Sequence, residues 1–282
     1  MKPSSPITFC ISTYNNLPYL KLAVESVRKN SYYKDAPFII HAENCTDGTD
    51  EWLAANEYNL EYYIEKNQLP VGIGGGMNFC ADRVKTTYIM FLHSDFYVSR
   101  NWDKVCLNII EQSKPKTWVF SHRIEPEMFP GSQSRPGTLI IPKETFGAYY
   151  HDFDKELFEE YAYEFGSANV EYFAPKAEGV SGLISKEDWD AIGGNDPIFA
   201  PASYEDMDLF LRMKQAGYNF ILTGGSVVWH FGARGSHRLE ENNGQTSQRQ
   251  RESEQKNIQK WLQKWGGMPI FDEYGTINSV GR

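Results

Sequence analysis

One apolar run that stops abruptly at polar residues, Tyr88-Ile89-Met90-Phe91-Leu92-His93-Ser94-Asp95, constrains this chain more than any other stretch. It predicts a buried strand that delivers its carboxyl end to a site, with Asp95 at that end. A lone carboxylate after a strand is ordinarily a turn or helix cap, so Asp95 gains meaning only if other stretches converge on it. Three do: Ser12-Thr13-Tyr14-Asn15 after the first strand, the cluster Glu205-Asp206-Met207-Asp208, and Val227-Val228-Trp229-His230 near the end.

The rest of the chain supplies a frame for that strand. Ile7 to Ile11 predicts a first strand, and Leu20, Ala23, Val24 and Val27 at i, i+3, i+4 and i+7 predict one face of a helix. Phe38-Ile39-Ile40 opens a second strand ending in His41 to Asn44, and Thr46-Asp47-Gly48-Thr49 turns the chain into a short helix through Trp52 and Leu53. Leu60 to Ile64 predicts a third strand, and the glycine-rich Val71 to Asn78 leads into a helix through Phe79, Ala81 and Val84. Beyond Asp95, Trp102, Val105, Cys106 and Ile109 mark another helix and Trp118-Val119-Phe120 another strand. Strands alternating with helices at this spacing predict an α/β fold, a wound and largely parallel sheet.

Residues 124–177 break the pattern with Pro126, Pro130, Pro136, Pro142 and Pro175, many aromatics, and a charged segment at 152–164 that predicts a short helix. They are expected to form an irregular insertion over the sheet edge without a core of their own. Regular structure is expected to resume at Gly179 to Ile184, with helices at Lys186 to Ile192 and Glu205 to Ala216 and two strands near Phe220 and Val227. The polar, Gln-rich stretch from Glu240 predicts a loop that ends as a helix through Ile258, Trp261 and Leu262. The expected organisation is a single catalytic domain at 1–239 and a C-terminal loop and helical tail at 240–282.

Composition narrows the function classes. With 282 residues, 41% hydrophobic and 23% charged, the chain is globular rather than disordered, and a formal net charge of −9 argues against a nucleic-acid-binding surface. Cys10, Cys45, Cys80 and Cys106 have neither paired metal-type spacing nor a disulfide framework, which predicts a reduced, cytoplasmic setting. The start, Met1 to Pro6, lacks the apolar run of a signal peptide, and no stretch approaches the roughly 18 consecutive apolar residues of a transmembrane segment.

Taken in order, the motifs resemble the family 2 glycosyltransferases of the glycosyltransferase A-type fold, over roughly Ile7 to Trp265. Ile11-Ser12-Thr13-Tyr14-Asn15 looks like that family's opening nucleotide-binding loop, and Cys45-Thr46-Asp47-Gly48-Thr49 like its Ser-Thr-Asp-Gly-Thr turn. Phe91-Leu92-His93-Ser94-Asp95 is similar to its Asp-x-Asp strand end, Tyr204-Glu205-Asp206-Met207-Asp208-Leu209 to the acidic motif carrying its base, and His230-Phe231-Gly232 to the late histidine that ligates metal in many members. Each match alone is weak, and the specificity lies in five of them in the right order. The resemblance implies an inverting transfer of a sugar from a nucleotide-diphosphate donor to a carbohydrate or other hydroxyl acceptor, with Mn2+ or Mg2+ as cofactor. It implies donor binding by Thr13, Tyr14, Asn15, Glu43, Gly72, Asn78, His93, Ser94 and Asp95, metal binding by Asp95 and His230, and catalysis by Asp206. Two positions depart from the pattern: His93 stands where the family usually has a first Asp, and Met77 where many members have Arg. His93 thus stays open between a nucleotide contact and a metal ligand.

The chemistry agrees with these residue types. A leaving diphosphate is neutralised by a hard divalent cation, and an oxygen-plus-imidazole ligand set suits Mn2+ better than Ca2+. Glu43 is by default a solvated loop acid, and the Gly72–Gly76 run is a weak dinucleotide fingerprint in the wrong place, better taken as close backbone approach to a diphosphate-sugar. On a helical wheel Asp206 shares the apolar face with Leu209, Phe210 and Met213, while Glu205 and Asp208 fall opposite with Arg212. First-turn acids next to the helix dipole account for the latter two; an inward Asp206 needs another reason, and proton removal from an acceptor hydroxyl supplies one. A sugar-nucleotide nucleotidyltransferase would open on a glycine-rich basic loop, which Ser12 to Asn16 lacks, and a non-catalytic nucleotide- or carbohydrate-binding module is kept open by His93.

Overall fold

The computed structural model describes residues 5–55, 57–66, 69–128, 131–179, 181–232, 234 and 245–281. In chain order the first half alternates β1 (Ile7–Thr13), α1 (Leu17–Asn30), β2 (Phe38–Glu43), α2 (Thr49–Ala55), β3 (Glu61–Glu65), α3 (Gly72–Ala81), β4 (Tyr88–His93), β5 (Phe96–Val98), α4 (Trp102–Gln112) and β6 (Thr117–Pro126). Then follow β7 (Thr138–Ile141), α5 (Lys143–Phe146), α6 (Lys155–Ala168), β8 (Phe173–Ala174), β9 (Gly182–Ser185), α7 (Lys186–Ile192), a 3-10 turn at Pro197–Phe199, α8 (Glu205–Gln215), β10 (Asn219–His230), α9 (Gln248–Trp265), β11 (Met268–Phe271) and β12 (Ile277–Gly281).

One large sheet runs β3-β2-β1-β4-β9-β6-β10-β5. β1 is parallel to both neighbours, so that Ser12 lies opposite His41 on one side and His93 on the other. β9 is antiparallel to β4 and β6, and β5 is antiparallel to β10. The fold is thus the expected α/β arrangement with a largely parallel sheet. Alternation along β1 explains its two-sided burial: Ile7, Phe9 and Ile11 pack with Leu20, Val24 and Val27 of α1 and Trp102 of α4, whereas Cys10 faces Met77, Cys80 and Ala81 of α3.

Four expectations need correction. Residues Gly72–Gly76 are the first turns of α3 rather than a loop, because the missing side chains let this helix sit directly on the sheet: a Cβ at Gly76 would lie 2.0 Å from Ser12 Oγ and 2.8 Å from His41 Nδ1. Gly76 makes its close approach to β1 and β2, whereas Gly72 lies against the Pro201 backbone and Gly74 against Asn195 and Glu205. The two strands expected near Phe220 and Val227 are one, β10, whose register against β6 shifts between Thr223 and Val227 to accommodate Gly224 and Gly225. The stretch 124–177 is not irregular: β6 continues to Pro126, and β7, α5, α6 and β8 follow. Phe146, Phe153, Phe158 and Ala162 close an aromatic core with Tyr97, Trp229 and Phe231, a core shared with the main sheet. Within this stretch Pro130 lies outside the described residues, as do residues 240–244 of the expected tail loop.

The fourth correction concerns the tail. Beyond α9, which holds the expected Ile258, Trp261 and Leu262, the chain forms a hairpin of β11 and β12. Trp261 and Ile277 are buried in the same cluster as Phe199, Leu209 and Phe210, so residues after 245 complete a core of the sheet domain. No described helix is long and apolar enough to cross a membrane.

Candidate active site

The carboxyl ends of β1, β4 and β10 meet a segment at 201–207 and one side of α9 around a cleft of about 550 Å³. Parallel strands bring this about, since their carboxyl ends all open on the same edge of the sheet.

On the floor, His93, Asp95 and His230 each offer one ligand atom within 4.8 Å of the others. β4 ends at His93 and β10 at His230, and the short return strand β5 pairs antiparallel to β10 with Phe96 opposite His230, which carries Asp95 back beneath the histidines. The Phe231 amide donates to the Asp95 carbonyl at 3.1 Å and fixes this corner. Burial, only partly offset by Asp95, lowers the His93 pKa to about 4, so its imidazole is neutral at neutral pH, and its Nε2 is buried without a hydrogen-bond partner. For His230 burial pulls the pKa down, but Asp95 and Glu125 outweigh it and the net shift is upward. His230 Nδ1 donates to Glu125 Oε1 at 2.7 Å, which leaves Nε2 directed at Asp95 Oδ2, 3.5 Å away. A neutral imidazole with an orphaned nitrogen, a second one oriented by a carboxylate and a nearly buried Asp form a donor set suited to Mn2+.

Glu125 belongs to a buried ion network that sequence reasoning missed. Its carboxyl is held far below the usual range: burial opposes this, but Arg123, His230 and Arg135 overcome it. Arg123 pairs in turn with Glu178, which Lys176 Nζ meets at 2.6 Å. The one available signal was the alternation of Arg123 and Glu125 about Ile124, a period of two that continues β6 past Phe120.

At the end of β1, Ser12, Thr13, Tyr14 and Asn16 line the cleft, and Thr13 Oγ1 is buried with no partner. Ser94 lines it too, its Oγ accepting from Asn16 Nδ2 at 2.7 Å. Three expected donor contacts have other engagements. Asn15 stands outside the lining, its Oδ1 accepting from the Thr46 amide at 2.6 Å. Asn78 is also outside, exchanging two hydrogen bonds of 2.8 Å with the Asn195 backbone. Glu43 does reach the cleft and is nearly buried rather than solvated, but its two oxygens accept from the Val71 and Gly72 amides, so it caps the amino end of α3. Gly72 lines the cleft, as does Pro70.

Across the cleft stand Glu205 and Asp206, and here the helical wheel is corrected. Asp208, expected on the outer face, is fully buried and bound by Arg212 Nε at 2.8 Å, Lys264 Nζ at 2.6 Å and Trp265 Nε1 at 2.9 Å. Asp206, expected on the apolar face, is the least buried of the three and lines the cleft with Glu205. A wheel treats α8 as having one covered side, whereas α9 covers the other. Burial pushes the Asp206 carboxyl up against the pull of its own and the Met207 amide and of Arg123. Burial and the neighbouring Asp206 raise Glu205 to about 8, and Glu205 Oε2 has no partner. The far wall comes from α9, where Arg249, Gln250, Ser253 and Glu254 line the cleft and the Arg249 guanidinium lies 4.3 Å from the Tyr14 ring centroid. Sequence reasoning missed these four because a polar stretch without apolar periodicity carries no mark of what it faces.

The family model for glycosyl transferase family 2 matches residues 8–158, just over half of the chain. No curated protein matches it by sequence. Among solved structures, the fold is similar to a crystal structure of GalNAc-T7 with UDP, GalNAc and Mn2+, at 16% identity and a TM-score of 0.59 over 82% of this chain. It is similar also to S. aureus TarS, at 10% identity and a TM-score of 0.55 over 86% of this chain, and to TarS 1-349 in complex with UDP, at 11% and 0.52 over 79%. The chain spans 44%, 41% and 59% of those chains, respectively, and at such identities the likeness is one of fold.

Proposed function

The chain belongs to glycosyl transferase family 2, and from that premise we propose that it transfers a sugar from a nucleoside diphosphate donor to an acceptor hydroxyl, with inversion and with the help of a divalent cation. One observation carries this reading: His93, Asp95 and His230 converge on the cleft floor while Asp206 faces the same cleft from α8. UDP in the related structures makes it the first nucleotide to try, and the Mn2+ of the GalNAc-T7 structure makes that ion the first metal.

Bound at His93, Asp95 and His230, the cation would neutralise the charge that develops on the leaving diphosphate. The remaining work falls to side chains of this chain. Thr13 and Tyr14 bind the nucleoside beside the end of β1, with Ser94 and Asn16 holding that wall in place. Asp206 takes the proton of the acceptor hydroxyl as its oxygen bonds to the anomeric carbon, on the face opposite the breaking bond to the diphosphate oxygen. Glu205, with its raised pKa, keeps its proton, which spares Asp206 a second negative charge at its side. We assign catalysis to residues 1–239 and acceptor recognition to the insertion and the tail 240–282, whose aromatic and polar side chains suit sugar faces.

The test is release of nucleoside diphosphate from a panel of nucleotide sugars, with and without Mn2+. Release that depends on the metal supports the reading; pyrophosphate as product would point to nucleotidyl transfer, and absence of turnover with every donor would overturn it.

A further inference from the structure

Between the 3-10 turn and α8 lies a backbone segment whose carbonyls are nearly all claimed by α9. Asn257 Nδ2 shares its two hydrogens among the carbonyls of Phe199, Ala202 and Ser203, which lie at 2.6, 2.7 and 2.9 Å. Lys260 Nζ reaches the carbonyls of Ile198 at 2.6 Å and Ala200 at 3.5 Å, and Ser253 Oγ donates to Ala202 at 2.7 Å. The Pro201 carbonyl accepts from the Ile73 amide of α3 at 3.2 Å. Six consecutive carbonyls, Ile198 to Ser203, are therefore engaged outside their own segment, five of them by α9. Three acceptors around one nitrogen also settle which end of the Asn257 amide points inward.

The residues that do this recur at i, i+3, i+7, i+10 and i+11. Gln250 donates to Ser203 Oγ at 2.7 Å, Ser253, Asn257 and Lys260 follow, and Trp261 packs its ring on Tyr204 at 5.8 Å. That spacing is one helix face. The backbone it grips needs holding: Ser203 and Tyr204 are consecutive non-glycine residues at φ +76° and +73°, a conformation that costs free energy and persists only where the surroundings impose it. Directly after them come Glu205 and Asp206. The left-handed pair sets the entry of α8, and hence where the Asp206 carboxylate stands in the cleft.

We propose that α9 is part of the transfer machinery, with Asn257 as the positioning residue that holds the 198–204 segment so that Asp206 meets the acceptor hydroxyl. The inference rests on Asp206 being the base. Asn257 itself is buried and does not line the cleft, so it acts through the backbone. The residues proposed for metal and nucleoside, His93, Asp95, His230, Thr13 and Tyr14, stand at the ends of β1, β4 and β10, whereas this segment lines the cleft from the side of α8.

The test is a double-mutant cycle in the full-length protein, using the nucleotide sugar that turns over in the panel and the matching nucleoside diphosphate as binding probe. Asn257→Ala is expected to lower kcat by about 10-fold, since small misplacements of a reacting group are costly, with the nucleoside diphosphate Kd within about twofold of wild type. In the Asp206→Asn background the same substitution should lower the residual rate by less than about twofold, because the group being positioned is gone. Equal losses in both backgrounds, or a Kd that weakens in step with kcat, would overturn the proposal and leave Asn257 a merely structural residue. If Asp206→Asn turns over like wild type, the base assignment falls and this proposal with it. Should Asn257→Ala not fold, Lys260→Met, which removes the ties to Ile198 and Ala200 at a residue that does not line the cleft, replaces it in the same cycle with the same outcomes.

Discussion

Asp206 and Asp208 stand two positions apart on α8 and meet opposite fates, one at the cleft and one locked to Arg212, Lys264 and Trp265. Asp206→Asn keeps size and most hydrogen bonding but cannot take a proton, so turnover should fall by about 100-fold or more with donor binding unchanged. Because burial raises the Asp206 pKa, the base is lost as pH falls, and the rate should show an acidic limb that is absent from the residual activity of Asp206→Asn. Glu205 allows a test on stability. Its pKa of about 8 in the folded state against 4.5 ordinarily means that the folded protein keeps a proton the unfolded chain releases, so stability falls as pH rises from about 4.5 to 8. Glu205→Gln should flatten that slope and melt above wild type at pH 9 but not at pH 4; equal Tm differences at both pH values would contradict the burial argument. At the floor, His93→Ala should weaken Mn2+ binding by at least about 10-fold in calorimetry, and His93→Asp should restore it, since a carboxylate oxygen is a hard ligand. Glu125→Gln should weaken it about 10-fold or more through His230. Among these residues Asp95 and His230 could be singled out from the sequence because each stands at the carboxyl end of a patterned strand, whereas Glu125 acts through a partner 105 positions away.

At the level of elements, α1, α2, α4 and α7 are where apolar spacing and turn chemistry put them. Asp47 shows why the turn was legible: its oxygens accept from the Leu17 amide and from Thr49 N and Oγ1, serving the amino ends of α1 and α2 together. The glycine run was legible as a close approach but not as to what. Gly76→Ala would force its Cβ against Ser12 and His41, and the expected outcome in urea denaturation is a loss of about 1–3 kcal/mol, the usual cost of overpacking. A neutral effect would mean that α3 can lift from the sheet. The insertion was misjudged because prolines mark chain direction changes, whereas its order comes from Phe146, Phe153 and Phe158 meeting Tyr97 and Trp229 of distant strands.

For the whole molecule, the core does not end where the polar stretch begins. Trp261 and Ile277 share a cluster with Leu209, Phe210 and Trp118, so a chain cut after residue 239 should lose cooperative unfolding, as followed by near-UV circular dichroism and calorimetry; a cooperative transition at the full-length Tm would show the tail to be an appendage. The sequence alone determined the strand and helix order of the first half apart from the short return strand β5, the parallel sheet and the edge on which a site would open. These follow from local periodicity and from the rule that parallel strands share a carboxyl side. Tertiary structure alone decided which acid of Glu205, Asp206 and Asp208 faces the cleft, that His93 joins Asp95 and His230, and that α9 forms one wall. Those outcomes depend on elements that pack against each other from distant parts of the chain, and a helix covered on both sides leaves no one-sided pattern for a sequence to display.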